Sequence, residues 1–229
     1  MKTNFIFFGI IAILLIIVLV LGISYKNKNK KEENLLGINY DVEGNIATLE
    51  KYETENPVVA MYIKDYGSIV MELYPDVAPN TVNNFISLVK TGFYDNNTFH
   101  RLVPGFVLQG GDPDGTGAGG PGYKIKGEFS DNGFENNLKH EKGILSMARG
   151  SDNDSGGSQF FIVLDANDYL DGKYAAFGKI IDGYDIIDKI VENEKVADSD
   201  SGKLAKNLVI KKAIIDLKGK EYPEVEKVQ

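Results

Sequence analysis

Apolar residues are distributed unevenly along this chain, and their spacing divides it into three textures. Residues 5–23, FIFFGIIAILLIIVLVLGI, form an uncharged run of 19 residues. As a helix this run rises roughly 28 Å, close to the hydrocarbon core of a bilayer at about 30 Å, so one transmembrane helix is predicted within residues 1–23. A cleaved signal peptide would carry an apolar region of about 7 to 15 residues ending in small residues. Val20, Leu21 and Gly22 supply only a weak cleavage site, and an uncleaved anchor is the expectation. Residues 24–56 are rich in Lys, Asn, Glu and Gly without a sustained apolar period and read as a polar linker.

From Pro57 the chain changes to short apolar runs bounded by turns. PVVAMYI (57–63) and SIVMELY (68–74) predict a hairpin through Asp65, Tyr66 and Gly67. Val82, Phe85, Ile86 and Val89 then fall at i, i+3, i+4 and i+7, with Pro79 near the start and Gly92 after the end, which predicts a three-turn helix. Further strands are expected over 98–103, 106–110, 143–148, 158–164, 175–181 and 207–217, and a second helix over 184–193. About eight strands and two helices without regular alternation predict a mainly β domain over 57–217, an antiparallel sheet closed into a barrel, followed by a tail over 218–229.

Composition narrows the chemistry. A net charge of −8 sets nucleic acid aside, because phosphate binding needs concentrated Lys and Arg. The absence of Cys removes disulfides and thiolate chemistry, and two His leave little for a metal centre. Gly115, Gly117 and Gly120 match GxGxxG but lead into Pro121 and Gly122 rather than a helix, so a dinucleotide site lacks its context. Asp152 and Asp154 begin like a calcium loop, yet Gly156 and Val163 stand where acids are required. No metal and no cofactor are expected. Lys26, Lys28, Lys30 and Lys31 follow the apolar run and favour a cytoplasmic domain, whereas the short N-terminus with Lys2 also resembles an export anchor. The chain is thus expected in the cell membrane as a single-pass protein, with both sides open for the domain.

Of 25 basic residues, 23 are Lys and only Arg101 and Arg149 are Arg. A planar, permanently charged fork of donors is what lysine cannot imitate, so these two positions point to a geometric requirement. Their surroundings carry a resemblance. FHRLVPGFVLQGGD (99–112), GILSMARGSDNDSGGSQFFIVL (143–164) and YLDGKYAAFGKI (169–180) are similar, in order and spacing, to the signature segments of the cyclophilin family of peptidyl-prolyl cis-trans isomerases, within a likeness over about 57–217.

The resemblance implies a closed eight-stranded antiparallel barrel capped by two α-helices, here preceded by the transmembrane helix, with a proline-binding groove on the outer face. It implies an isomerase of X-Pro bonds that assists folding of unfolded or flexible proline-containing polypeptides, acting as a monomer. By motif position Arg101, Phe106, Gln109, Ala148, Phe161 and Leu170 match groove residues. Arg101, Phe106 and Gln109 are the expected catalytic set. Val107, Ala148, Arg149, Phe161, Tyr169, Leu170 and Tyr174 are the expected substrate-binding set. Val107 stands where methionine is usual, Tyr169 where many members have tryptophan and Tyr174 where many have histidine; Arg149 occupies a variable position. Weak cyclosporin binding is implied by Tyr169. The same substitutions keep a second reading open, a membrane-tethered proline-binding scaffold or holdase with little catalysis.

Overall fold

The computed structural model describes residues 49–228, so the apolar run at 5–23 and the larger part of the linker lie outside the described residues. Among the described residues no helix is long and apolar enough to cross a membrane. The described residues form nine strands and two α-helices in the order β1 (Val58–Ile63), β2 (Gly67–Leu73), α1 (Pro79–Lys90), β3 (Thr98–Val103), β4 (Val107–Asp112), β5 (Ile144–Met147), β6 (Phe160–Val163), β7 (Ala176–Asp182), α2 (Tyr184–Asn193), β8 (Val196–Asp198) and β9 (Lys203–Asp216).

Eight strands close on themselves in the spatial order β1-β2-β7-β5-β6-β4-β3-β9, with β9 returning to β1. Every pairing is antiparallel. The fourteen-residue β9 achieves the closure by pairing along Ile210–Asp216 with β1 and along its earlier half with β3. The short β8 hangs on the start of β9 as a ninth strand outside the ring. It was not expected from the sequence, because Val196, Ala197 and Asp198 are too few and too exposed to leave an apolar period.

Closure fixes the fate of alternate side chains. Leu108, Phe160 and Ile162 join the interior core with Val59, Met61, Met71 and Phe177, while Val107, Phe161 and Val163 join a second apolar cluster with Leu170. Both faces of β6 are therefore buried, which is why FFIV reads as a continuous apolar run rather than an alternating one.

Helix α1 caps this interior. Phe85, on its buried stripe, meets the rings of Tyr94, Phe160 and Phe177 at centroid distances of 5.1, 5.2 and 5.1 Å. Ala78 at its N-cap has no side-chain acceptor to offer. The buried Glu128 replaces it, accepting from the Asn80 and Thr81 amides at 3.0 and 2.7 Å and from the Thr81 hydroxyl at 2.7 Å. A carboxylate there satisfies free N–H groups and complements the positive end of the helix.

The described segments flanking the barrel pack against it. Leu49 is buried, its carbonyl accepts from Lys218 Nζ at 3.0 Å, and Tyr52 Oη donates to Asp182 at 2.5 Å. At the other end, Glu226 N donates to Asn80 Oδ1 at 2.8 Å, and Val228 N donates to the Lys124 carbonyl at 2.9 Å.

Candidate functional site

The register of the barrel lines up the first three site residues. Arg101 pairs with Gln109 across β3 and β4, Gln109 pairs with Phe161 across β4 and β6, and Phe161 pairs with Ser146 across β6 and β5. Directly opposed residues project to the same face. Phe161 and Val107 belong to the cluster outside the interior core, so the row crosses the outer wall.

Arg101 is held on two sides. Its Nε donates to the Ser201 carbonyl at 2.7 Å and its Nη1 donates to Gln109 Oε1 at 3.2 Å. Gln109 Nε2 in turn donates to Gln159 Oε1 at 2.9 Å, and Gln159 Nε2 donates to the carbonyls of Gly117 and Gly119 at 3.0 and 2.9 Å. This relay fixes the guanidinium plane, while among the described residues Nη2 has no hydrogen-bond acceptor. Half-burial pulls the Arg101 pKa down, and proximity to Tyr174 opposes it. A guanidinium remains charged under such a shift.

Beside Arg101 lies an apolar floor. Phe161 is 5% exposed and Leu170 3%, with Phe106, Ala148 and Tyr174 partly exposed around them. The Tyr174 ring meets Phe161 edge-on at 5.6 Å. Val107 is 2% exposed and lies in the layer under this surface. Tyr169, on the 3-10 turn Asp168–Leu170, is 73% exposed, with Lys173 Nζ 3.6 Å from its ring centroid.

The Arg149 side chain turns inward. Its guanidinium lies 4.8 Å from the Tyr174 ring centroid and 5.1 Å from that of Phe129, while Nε donates to the Lys173 carbonyl at 3.0 Å and Nη1 to the Gly150 carbonyl at 2.9 Å. Its side chain therefore buttresses Tyr174 and the strand end following Ala148.

Gln159, Ser201 and His140 were not singled out by sequence reasoning. Gln159 sits inside the SQFF segment, but nothing in the segment reveals that it links Gln109 to the glycine loop. Ser201 is one hundred residues from Arg101 in a hairpin that leaves no apolar signal. His140 stacks on Phe161 at 6.2 Å, with Nδ1 2.9 Å from Asp171 Oδ1 and Nε2 2.9 Å from Ser146 Oγ. Burial pulls its pKa below the ordinary 6.5, only partly offset by Asp171. The neutral ring thus donates to Asp171 and accepts from Ser146. This Ser-His-Asp connectivity is that of a nucleophilic triad, yet Ser146 is 0% exposed and no acyl carbon can reach it. The chain of bonds supports the floor beneath Phe161.

His100, next to Arg101, is buried with both ring nitrogens unpartnered among the described residues. Gly111 in the QGGD segment has φ +87°, and a Cβ there would collide with the Ser158 carbonyl. Only glycine lets β4 end this close to the loop that positions Gln159.

The arrangement offers a fixed cationic donor, Arg101, beside an apolar floor, and its one Ser-His-Asp chain is buried. Residues 58–215 match the family described as cyclophilin type peptidyl-prolyl cis-trans isomerase/CLD. The chain is 52% identical over 121 residues to peptidyl-prolyl cis-trans isomerase B of Bacillus subtilis, covering 53% of this chain and 81% of that protein. It is 45% identical over 130 residues to the peptidyl-prolyl cis-trans isomerase of Helicobacter pylori, covering 56% and 77% respectively. Among solved structures it is similar to a cyclophilin type isomerase of Cryptosporidium parvum crystallised in the presence of the dipeptide Ala-Pro, with TM-score 0.61 and 36% identity, covering 69% of this chain and 98% of that one.

Proposed function

The chain belongs to the cyclophilin-type peptidyl-prolyl cis-trans isomerase family and accelerates rotation about X-Pro peptide bonds, and we propose that it does so on the outer barrel face where Arg101, Gln109 and Phe161 stand in one row. The observation that carries this reading is the fixed Arg101 fork, held by Ser201 and Gln109 at the edge of an apolar floor.

Rotation of a peptide bond faces a barrier of about 18–20 kcal/mol because amide resonance must be broken. The cis and trans forms of X-Pro differ by only about 0.5–1 kcal/mol. What is needed is tighter binding of the twisted amide than of either planar form. As resonance is lost the prolyl nitrogen regains its lone pair and becomes a hydrogen-bond acceptor. The guanidinium of Arg101 donates to it, and because its plane is already fixed, little reorganisation accompanies the step. Phe106, Phe161 and Leu170 hold the pyrrolidine ring while the preceding carbonyl swings, with Val107 supporting them from below. Gln109 orients Arg101. The backbone at Ala148 and Arg149 holds the residue before proline extended, as an added strand would. Tyr174 and Tyr169 border the ring site. The Ala-Pro dipeptide used with the Cryptosporidium relative supports a prolyl ligand for this groove.

The test is the cis-to-trans rate of a short X-Pro peptide with the full-length protein in mild detergent, beside Arg101→Ala with a matched circular dichroism spectrum. Acceleration lost in the variant supports the assignment, and equal rates refute it.

The same reading extends to location. The apolar run at 5–23 holds the domain at a membrane through the linker, so its substrates are flexible polypeptides close to that surface. Protease access to the domain in intact against lysed cells identifies the side, and recovery of the full-length protein in a salt-washed soluble fraction would refute the anchor.

A further inference from the structure

Among the described residues, three rungs of hydrogen bonds join the loop at 117–125 to the segment at 156–159. At one end the Ile125 amide donates to the Gly156 carbonyl at 2.8 Å. At the other, Gln159 Nε2 reaches the carbonyls of Gly119 and Gly117. Between them stands Asn84, from the middle of α1 and 0% exposed. Its Nδ2 donates to the Gly157 carbonyl at 2.6 Å, and its Oδ1 accepts from the Tyr123 hydroxyl at 2.7 Å. One buried side chain thus ties together the same two segments that Gln159 spans.

The two segments are closely apposed, since a Cβ on Gly157 would come within 2.9 Å of Pro121 Cδ. Asp112 anchors the start of the loop by accepting from the amides of Asp114, Thr116 and Gly117 at 2.8, 2.8 and 2.5 Å. The C-terminal tail, beyond the residues that match the family, braces its end. Lys227 Nζ lies 4.2 Å from the Tyr123 ring centroid, and Val228 N donates to the Lys124 carbonyl at 2.9 Å. Asn80, one turn before Asn84, exchanges two bonds with Glu226, at 2.8 and 2.9 Å. Residues four apart share a helix face, so one face of α1 holds both the loop and the tail that covers it.

Gln159 steers Gln109, and Gln109 steers Arg101, only while the carbonyls that Gln159 grips stay at donor distance. We propose that Asn84 and Tyr123 are a positioning pair for the isomerase reaction, an inference that rests on the prolyl-groove reading above. By fixing the separation of the two segments they keep the Gln159–Gln109–Arg101 relay in register, and they make no bond to Arg101 themselves. A donor that acts on charge appearing in the transition state is sensitive to small displacements. A residue of the helix that caps the barrel interior thereby governs a site on the outer wall.

The experiment measures kcat and KM for an X-Pro peptide with the full-length protein in mild detergent. Tyr123→Phe deletes one hydroxyl and keeps the partly exposed ring, so the fold is retained; kcat should fall about three- to tenfold with KM little changed. Asn84→Ala should lower kcat further. Because the pair acts through Gln159, Tyr123→Phe should leave kcat unchanged once Gln159→Ala is present, whereas a merely structural role would lower it by the same factor in both backgrounds. The chain has only two arginines, so its arginine Nε–Hε spectrum holds two cross-peaks, assigned with Arg149→Lys. Tyr123→Phe should shift or broaden that of Arg101 and leave that of Arg149 in place. An unchanged kcat, an effect confined to KM, or an equal loss in both backgrounds with the Arg101 cross-peak unmoved overturns the proposal while leaving the isomerase intact. No acceleration by the wild-type protein overturns the prolyl-groove reading and this inference with it.

Discussion

Arg101 and Gln109 are direct partners across the β3–β4 ladder and are joined by a hydrogen bond of 3.2 Å from Nη1 to Oε1. With Ser201 on Nε, the fork is aimed before any substrate arrives. Arg101→Ala should lower kcat/KM by about 10²-fold or more, the scale for a donor that acts on charge appearing in the transition state. Arg101→Lys should restore little, because a single ammonium cannot hold Ser201 and Gln109 while also facing the prolyl nitrogen. Peptide cis-to-trans kinetics with both variants check this, and near-wild-type turnover in the lysine variant would show that charge alone suffices.

Arg149 lies against Tyr174 and Phe129 and donates to two backbone carbonyls. Arg149→Ala removes these together and should destabilise the domain by about 1–3 kcal/mol in urea unfolding. Arg149→Lys should recover only part, since an ammonium does not stack as a planar group does. A variant as stable as the wild type would show that the stacked arrangement contributes nothing.

Phe161→Leu keeps an apolar side chain in the floor but loses the flat surface against the proline ring and the edge contact with Tyr174. The expected result is a KM for X-Pro peptides raised by about tenfold with kcat changed less, the pattern of lost uniform binding. Steady-state kinetics over a wide peptide range separate the two constants, and a fall confined to kcat would place Phe161 in the transition state instead.

Both histidines are buried, and burial pulls each below the ordinary 6.5 against the opposing carboxylates Asp112 and Asp171. In the unfolded chain they take up protons near pH 6.5, before the folded protein does. Their contribution to stability is therefore complete above about pH 6.5 and is lost as pH falls through the folded values. Urea unfolding at pH 7.5, 6.5 and 5.5 should show declining stability, and imidazole resonances should titrate below 6.5. Stability that rises towards pH 5.5 would contradict the neutral assignment.

The elements of the barrel were legible because each strand buries a side in a sheet closed on itself. Thr98–Val103 and Tyr184–Asn193 coincide with the expected spans, and β4 to β7 differ only at their ends, where pairing rather than polarity decides. Short apolar stretches without a sustained period left no trace. Leu49 follows Ile46 and Ala47 in a segment too short to show a helical or strand period, so nothing in the linker announced that it would be buried. Within the site, Arg101 stood out by its rarity and Phe161 by its segment, but their alignment through Gln109 is a matter of register between strands distant in the chain. The support from Ser201, Gln159 and His140 is longer-ranged still, and a one-dimensional pattern has no means of expressing it.

The seam that closes the barrel joins Val58 to Asp216, one near the start of the described residues and the other near their end. On the ribosome, β1 must therefore wait with an unpaired edge until almost the whole domain has emerged. Such late, non-local pairing is slow and exposes strand edges meanwhile. An enzyme that speeds a slow step in other chains thus faces a prolonged assembly of its own, in which loss of the last strand during synthesis would leave the sheet open rather than merely shorter.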